Sequence, residues 1–367
     1  MHVVLTLDVG GLENGVVNLI NGLDRQRFES HLCCIKHFGA LVTRLQPPPA
    51  ALFEFKHYGG YRPGIIWRLA ATMRKQRIDV VHTRNFKSFV FGFIAAKLAG
   101  VPVIIHSEHG RDYPFAPWNM RLQKLLSRRT DAVVALSQNL KQSLIRYVGI
   151  AGSKLTTICN GVDTSRFTTG DRNAVKIALG LHADDRLVGS VGRLVSVKNH
   201  RDLIHAMAPL IKSDNRLKLM LVGDGPERES LRTQARALGI ADHVMFTGVR
   251  DDIPRLLQAM DVFALTSRNE GISNTLLEAM ASGLPVVASD VGGNGEIVAA
   301  DVAGFLYPAG DVPRLMALIE RLLHDSELRA TMGRHARQHV LDHYSIDVMI
   351  DNYAQLYTRC LAAKLEM

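Results

Sequence analysis

Strand-like and helix-like runs alternate along almost the whole chain, and the alternation breaks off once and then starts again. Before the break the strand candidates are residues 2–7 (HVVLTL), 31–36 (HLCCIK), 79–83, 102–107, 131–137 and 155–159. After the turn-rich stretch NGVDTSRFTTGD at 160–171 they resume at 186–194, 217–223, 243–248, 261–267, 285–290 and 304–309. Short apolar strands separated by helices are the pattern of a parallel sheet covered on both faces. Its restart predicts two doubly wound α/β domains facing each other across a cleft. Their bounds are set at 1–165 and 166–344, with 345–367 as a closing helix. The chain's 367 residues agree, being about twice the usual size of one domain. Ligands of such sheets sit at the C-terminal ends of the strands, so the loops that follow strands are where function is sought.

Helix-like runs are expected at 64–77, 86–99, 138–147, 311–323 and 326–340, and the final helix carries Met349, Tyr353, Leu356 and Cys360 on one stripe. Pro47, Pro48 and Pro49 cannot donate to a ladder and mark a loop or edge. The Phe86, Phe89 and Phe93 stripe reads as core. His335 and His339 are four apart on a helix but lack a third ligand, so a solvated face is the reading there rather than zinc.

Charge divides the chain unevenly. Residues 1–165 carry a net +11 and residues 166–367 a net −2. A basic first half suits an anionic partner, such as a membrane surface or a phosphate-bearing lipid, or it serves solubility alone. A nucleic acid would suit the charge too, but no recognised nucleic-acid module accompanies it. Trp67, with Arg62, Arg68, Arg74, Lys75 and Arg77, forms a basic amphipathic stretch suited either to an anionic membrane or to ordinary packing. The four cysteines, Cys33, Cys34, Cys159 and Cys360, have neither metal-site nor disulfide-framework spacing, which predicts a cytoplasmic protein. No leader and no apolar run of membrane-spanning length is read.

The segment SRNEGISNTLLEAMASGLPVV (267–287) places Glu270 in a loop and Glu278 inside the helix that the loop opens, expected at 274–282. Free backbone N–H groups from Gly271 to Thr275, including those of Ile272, Ser273 and Asn274, would face an anion or a sugar hydroxyl. Gly271 would let the backbone approach closely. Both carboxylates suit hydrogen bonds from a polyol. The plainer alternative makes Glu270 a helix cap and puts Glu278 on a solvated face.

These residues also carry a resemblance. The Glu270–Glu278 spacing is similar to the E-x7-E motif of retaining glycosyltransferases of the GT-B fold, with two Rossmann-like domains, specifically family 4. DVGGLENG (8–15), HGRD (109–112), NGVD (160–163), VGRLVSVKN (191–199), VGDGPE (222–227), FTG (246–248) and EGISNTLLEAMASGLPVVASDVGG (270–293) occur in that family's order. Among its branches the chain looks nearest to bacterial exopolysaccharide-associated sugar transferases. The resemblance implies transfer of a sugar from a nucleotide sugar to a glycan or to a polyprenyl or other lipid-linked acceptor. It implies that Arg193 and Lys198 clamp the diphosphate, that Glu278 holds the ribose, that Glu270 holds the transferred sugar, and that Val249 and Arg250 lie at the base. It places Gly10 and Gly11 at the phosphate and acceptor side with Glu13, Arg84 and Arg111, and His109 beside the reacting sugar. His109, Glu270, Arg193 and Lys198 form the expected catalytic set. No D-x-D motif occurs, so fixed cations rather than a metal are expected to neutralise the leaving group, with no cofactor. In this fold the terminal helix returns to the first domain and the cleft closes by a hinge. Rival readings are a sugar-nucleotide epimerase, a phosphorylase with a lysine-bound pyridoxal group, and a non-catalytic nucleotide-sugar binder.

Overall fold

The computed structural model of the chain describes residues 1–60, 63–109 and 114–366. The chain forms two compact units, one of Met1–Gly161 together with the segment from Ile346 onward, the other of Val162–Ser345. The division falls four residues before the boundary set from the sequence.

The first unit is built on seven parallel strands: β1 (His2–Thr6), β2 (His31–His37), β3 (Ala51–Glu54), β4 (Val80–Arg84), β5 (Val103–Glu108), β6 (Ala132–Ala135) and β7 (Leu155–Thr157). Their order is β3-β2-β1-β4-β5-β6-β7. The chain therefore winds outward from β1 in one direction and, from β4, in the other, which makes the β1/β4 boundary the switch point. β3 was not anticipated. Its four residues follow the three prolines, and pairing from Ala51 to Glu54 along one side of β2 makes it the edge strand, where proline-rich neighbours are tolerated.

Both faces of this sheet are covered, which is why its strands are apolar almost without alternation. On one face lie helices Pro63–Lys75 and Phe86–Ala99, with Phe86, Phe89 and Phe93 in the core as read from the sequence. On the other, helix Gly11–Gly22 packs against Ile346–Leu365, whose buried stripe is Met349, Ile350, Tyr353, Leu356 and Tyr357. The run expected at 138–147 is α-helical only to Ser143 and continues as a π turn to Val148. Among the described residues no helix is long and apolar enough to cross a membrane.

The second unit has six parallel strands: β8 (Arg186–Val191), β9 (Leu217–Val222), β10 (Val244–Gly248), β11 (Val262–Leu265), β12 (Val286–Ser289) and β13 (Gly304–Tyr307). All six lie within the segments read from the sequence. Their order, β10-β9-β8-β11-β12-β13, repeats the same outward winding and puts the switch point between β8 and β11. Helices start where carboxylates or hydroxyls cap them: Asp171 accepts from the Ala174 N–H, Asp311 from Arg314 and Asp325 from Leu328. Where the chain enters and leaves this unit, the Val162 N–H donates to the Tyr344 carbonyl at 2.9 Å.

Candidate functional site

The loops that leave β8 and β11 sit side by side because those strands are neighbours. From the first comes Lys198, from the second Glu270, and Lys198 Nζ donates to Glu270 Oε1 at 2.5 Å. The same oxygen accepts from Ser267 Oγ at 2.6 Å. Backbone contacts hold the two loops in register: Arg268 N–H donates to the Val197 carbonyl at 2.8 Å, and Thr266 Oγ1 to the Lys198 carbonyl at 2.9 Å. The pair is partly shielded, with side-chain exposures of 22% for Lys198 and 11% for Glu270. Glu270 is thus oriented through one oxygen while its other carboxylate oxygen carries no bond among the described residues.

Glycines without an assigned role in the sequence reading complete this frame. Gly292 has φ +56, and a Cβ there would lie 1.7 Å from the Glu270 carbonyl oxygen. Only glycine lets the loop after β12 seat against the Glu270 backbone. Next to it the Gly293 N–H donates to the Gly271 carbonyl at 2.9 Å. The signal was in the sequence, as the paired glycine ending ASDVGG. Gly223, at φ +131, plays the same part for the loop after β8, passing within 2.0 Å (for an added Cβ) of the Gly192 carbonyl.

Helix Asn274–Ala281 opens from this loop. Its cap is Ser273, whose hydroxyl accepts from the Leu276 N–H at 3.4 Å, so Glu270 does not cap it. Glu278 lies on the second turn. Its carboxyl is raised to about 7 by burial, which the nearby Arg166 charge only partly opposes. No hydrogen bond engages that carboxyl among the described residues. Glu278 is half-buried. Gly271 is exposed, and Ile272 and Asn274 are half-buried.

Arg193 is exposed and, among the described residues, makes no ion pair or hydrogen bond; its partner in the expected clamp, Lys198, is already engaged by Glu270. Val249 is 78% exposed after β10. Arg250 beside it is held by both Asp252 oxygens at 2.7 Å, so its guanidinium is committed to a local pair. Among the described residues no group of three or more His, Cys, Asp or Glu side chains converges as a metal-holding set.

In the first unit, helix Gly11–Gly22 begins at the switch point with Gly10 as its extended N-cap. Glu13 folds back so that Oε2 takes the space beside Gly10 where a side chain would stand. Burial raises its carboxyl above the usual range. His109 follows β5, and both its ring nitrogens are buried without a partner. Burial first, and then the charges of Arg84 and His106, hold the imidazole well below its ordinary pKa, so it is neutral. Arg84, expected on the acceptor side, is 1% exposed, with its guanidinium 5.5 Å from the Tyr353 ring. It is the last residue of β4. Arg111 lies outside the described residues.

Residues 171–339 match the family described as Glycosyl transferases group 1, and residues 9–166 match Glycosyltransferase Family 4. The chain is 30% identical to the UDP-Gal:alpha-D-GlcNAc-diphosphoundecaprenol alpha-1,3-galactosyltransferase of Escherichia coli, over 97% of this chain and 95% of that one. Among solved structures it is similar to HepE of Anabaena in complex with UDP, with a TM-score of 0.85 and 25% identity over 98% of this chain and 100% of that one. The sucrose-phosphate synthase of Thermosynechococcus elongatus shares the fold, with a TM-score of 0.79 and 22% identity over 99% of each chain.

Proposed function

Because the chain belongs to the glycosyl transferases group 1 family and is a glycosyltransferase of the GT-B fold, we propose that it moves a sugar from a nucleotide diphosphate to a hydroxyl of a glycan or lipid-linked acceptor. The transfer retains the anomeric configuration and serves surface or exopolysaccharide synthesis. The observation that carries this reading is the Lys198–Glu270 pair at the second unit's switch point, with Arg193, exposed and unpaired among the described residues, on the same loop after β8. A diphosphate arriving there meets one free guanidinium and one ammonium that is already oriented. Such preorganised charge stabilises a leaving group without reorganising during the reaction. The free oxygen of Glu270 accepts from the transferred sugar, and Glu278 from the ribose.

Uridine diphosphate is the donor nucleotide we favour, because HepE is solved with UDP and with UDP-glucose and the Escherichia coli relative is named for UDP-Gal. The base lies against the backbone near Val249 and Arg250, since the Arg250 side chain is held by Asp252. The first unit receives the acceptor at Gly10 and Glu13, with the Gly11 backbone toward the donor phosphate. His109, neutral, donates to or accepts from the reacting sugar without serving as a base. The departing diphosphate takes the acceptor's proton, so no enzymic nucleophile is required. Fixed cations do the work of a divalent ion, and EDTA is expected to leave turnover intact; dependence on added Mg²⁺ would refute this part.

We further propose peripheral contact with an anionic membrane on its cytoplasmic side. In helix Pro63–Lys75, Ile65, Leu69 and Met73 face the core while Trp67 is 58% exposed, with Arg68, Arg74 and Lys75 on the same element. Vesicles with anionic lipid should pellet the protein less when Arg74, Lys75 and Arg77 are neutralised.

Thermal-shift and hydrolysis measurements with UDP-, GDP- and ADP-sugars, repeated on Glu270→Ala and Arg193→Ala, test the central reading. A UDP-sugar should raise the melting temperature of the wild type and be slowly hydrolysed by it, and both effects should be weaker in each variant. A panel with no shift at all would overturn it.

A further inference from the structure

At the opposite end of the first sheet, where β1, β2 and β4 begin, lies a cavity of about 730 Å³. It opens between the segment after helix Gly11–Gly22, the turn at 76–79 and the last turns of helix Ile346–Leu365. That volume is within the range of small-molecule sites, and none of the residues assigned to sugar transfer lines it.

Its floor is polar and unsatisfied. His2 and His31 line it at 4% and 3% exposure, and Nδ1 of each has no partner. His31 donates through Nε2 to Glu29 Oε1 at 3.0 Å, which leaves its Nδ1 an unfilled acceptor. His2 makes no hydrogen bond through its ring among the described residues. His82, close by, shows what a satisfied histidine looks like in the same setting: its two nitrogens reach Tyr357 Oη and Ser107 Oγ, each at 2.6 Å. Buried polar groups are nearly always paired, so two that are not call for a ligand or ordered water.

The walls are apolar and aromatic. Phe28 meets Tyr357 edge to face with centroids 6.1 Å apart, and Ile78 and Leu361 flank them. At the outer edge, Arg27 holds its guanidinium 5.3 Å from the Phe28 ring, and Arg77 is exposed and unpaired among the described residues. A hydrocarbon chain would cover the walls but leave both imidazole nitrogens against carbon. An inorganic anion would engage the arginines and leave the walls wet. A nucleobase offers a hydrogen-bonding edge for His2 and His31 and ring faces for Phe28 and Tyr357, and its attached phosphate reaches outward to arginine.

We propose that this cavity is a second binding site, separate from the donor loops, for a nucleoside monophosphate, with the base on His2 and His31 and the phosphate at Arg27 and Arg77. Isothermal titration of the full chain with UMP, GMP, AMP, inorganic phosphate and oleate tests it. At least one nucleotide should bind with an affinity that Leu361→Trp, which fills the cavity, and His31→Phe each weaken tenfold or more, and that Lys198→Ala leaves within twofold. Should Leu361→Trp fail to fold, the exposed pair Arg27→Ala with Arg77→Ala should give the same tenfold loss. The proposal is overturned if none of the three nucleotides binds, if phosphate or oleate binds as tightly and at the same site, or if Lys198→Ala abolishes binding that the cavity variants leave unchanged.

Discussion

Lys198 and Glu270, 72 residues apart in the chain, meet at 2.5 Å where the loops after β8 and β11 adjoin. The contact ties a cation to the carboxylate expected to hold the transferred sugar. Replacing Lys198 with alanine therefore removes two things at once, charge for the diphosphate and the orientation of Glu270. Turnover of a donor sugar should fall by roughly 10²-fold or more. A double-mutant cycle with Glu270→Gln should be strongly non-additive in steady-state kcat; additive losses would mean that the two residues act independently.

Arg193 is exposed and, among the described residues, its side chain makes no ion pair or hydrogen bond. Arg193→Ala should leave the unfolding free energy from urea denaturation within about 0.5 kcal/mol of wild type yet raise the donor KM about tenfold. The penalty should shrink with added salt, because an exposed charge is screened. Equal KM values at low ionic strength would remove Arg193 from the donor site.

Burial raises the Glu278 carboxyl from 4.5 to about 7, so the folded chain holds that proton more tightly than the unfolded one. The stability contributed is fully present below the unfolded value and is lost as pH rises through about 7. Wild type should become less stable than Glu278→Gln on going from pH 5 to pH 8. Nucleotide affinity should move the other way, strengthening over the same window as the carboxylate forms to accept ribose hydroxyls. Calorimetric titrations at several pH values would show both trends; a flat wild-type profile would contradict them.

Gly292 is confined by its positive φ and by the Glu270 carbonyl. Gly292→Ala should cost about 1–3 kcal/mol from backbone strain and also lower activity, since Glu270 must shift to relieve the clash. Gly60→Ala, where nothing among the described residues lies within 4 Å of an added Cβ, is the comparison that should be silent in both chemical denaturation and turnover.

Tyr357 donates to or accepts from buried His82 at 2.6 Å, joining the terminal helix to β4. Tyr357→Phe leaves His82 Nδ1 unpartnered and should cost about 1–3 kcal/mol. It should not alter affinity for a donor nucleotide sugar, which the proposed function assigns to the other unit; thermal unfolding and UDP-sugar titration together separate the two effects.

The alternation of strand and helix signals and its restart after residue 171 determined the fold class, two doubly wound sheets, because covering both faces of a parallel sheet forces short, nearly continuous apolar strands. The glutamate spacing likewise located the loop and helix of the second unit to within a residue. Local patterning could not say which charges meet. That Lys198 is engaged by Glu270 and that Arg84 is buried against Tyr353 follow from strand order and from which faces the helices cover. Those are set by contacts between segments distant in sequence. Edge strand β3 escaped for the same reason: four residues carry little periodic signal, and pairing with β2 alone makes them a strand. Linear spacing records how each segment is buried, whereas the partner of a buried charge is chosen only when the strands assemble.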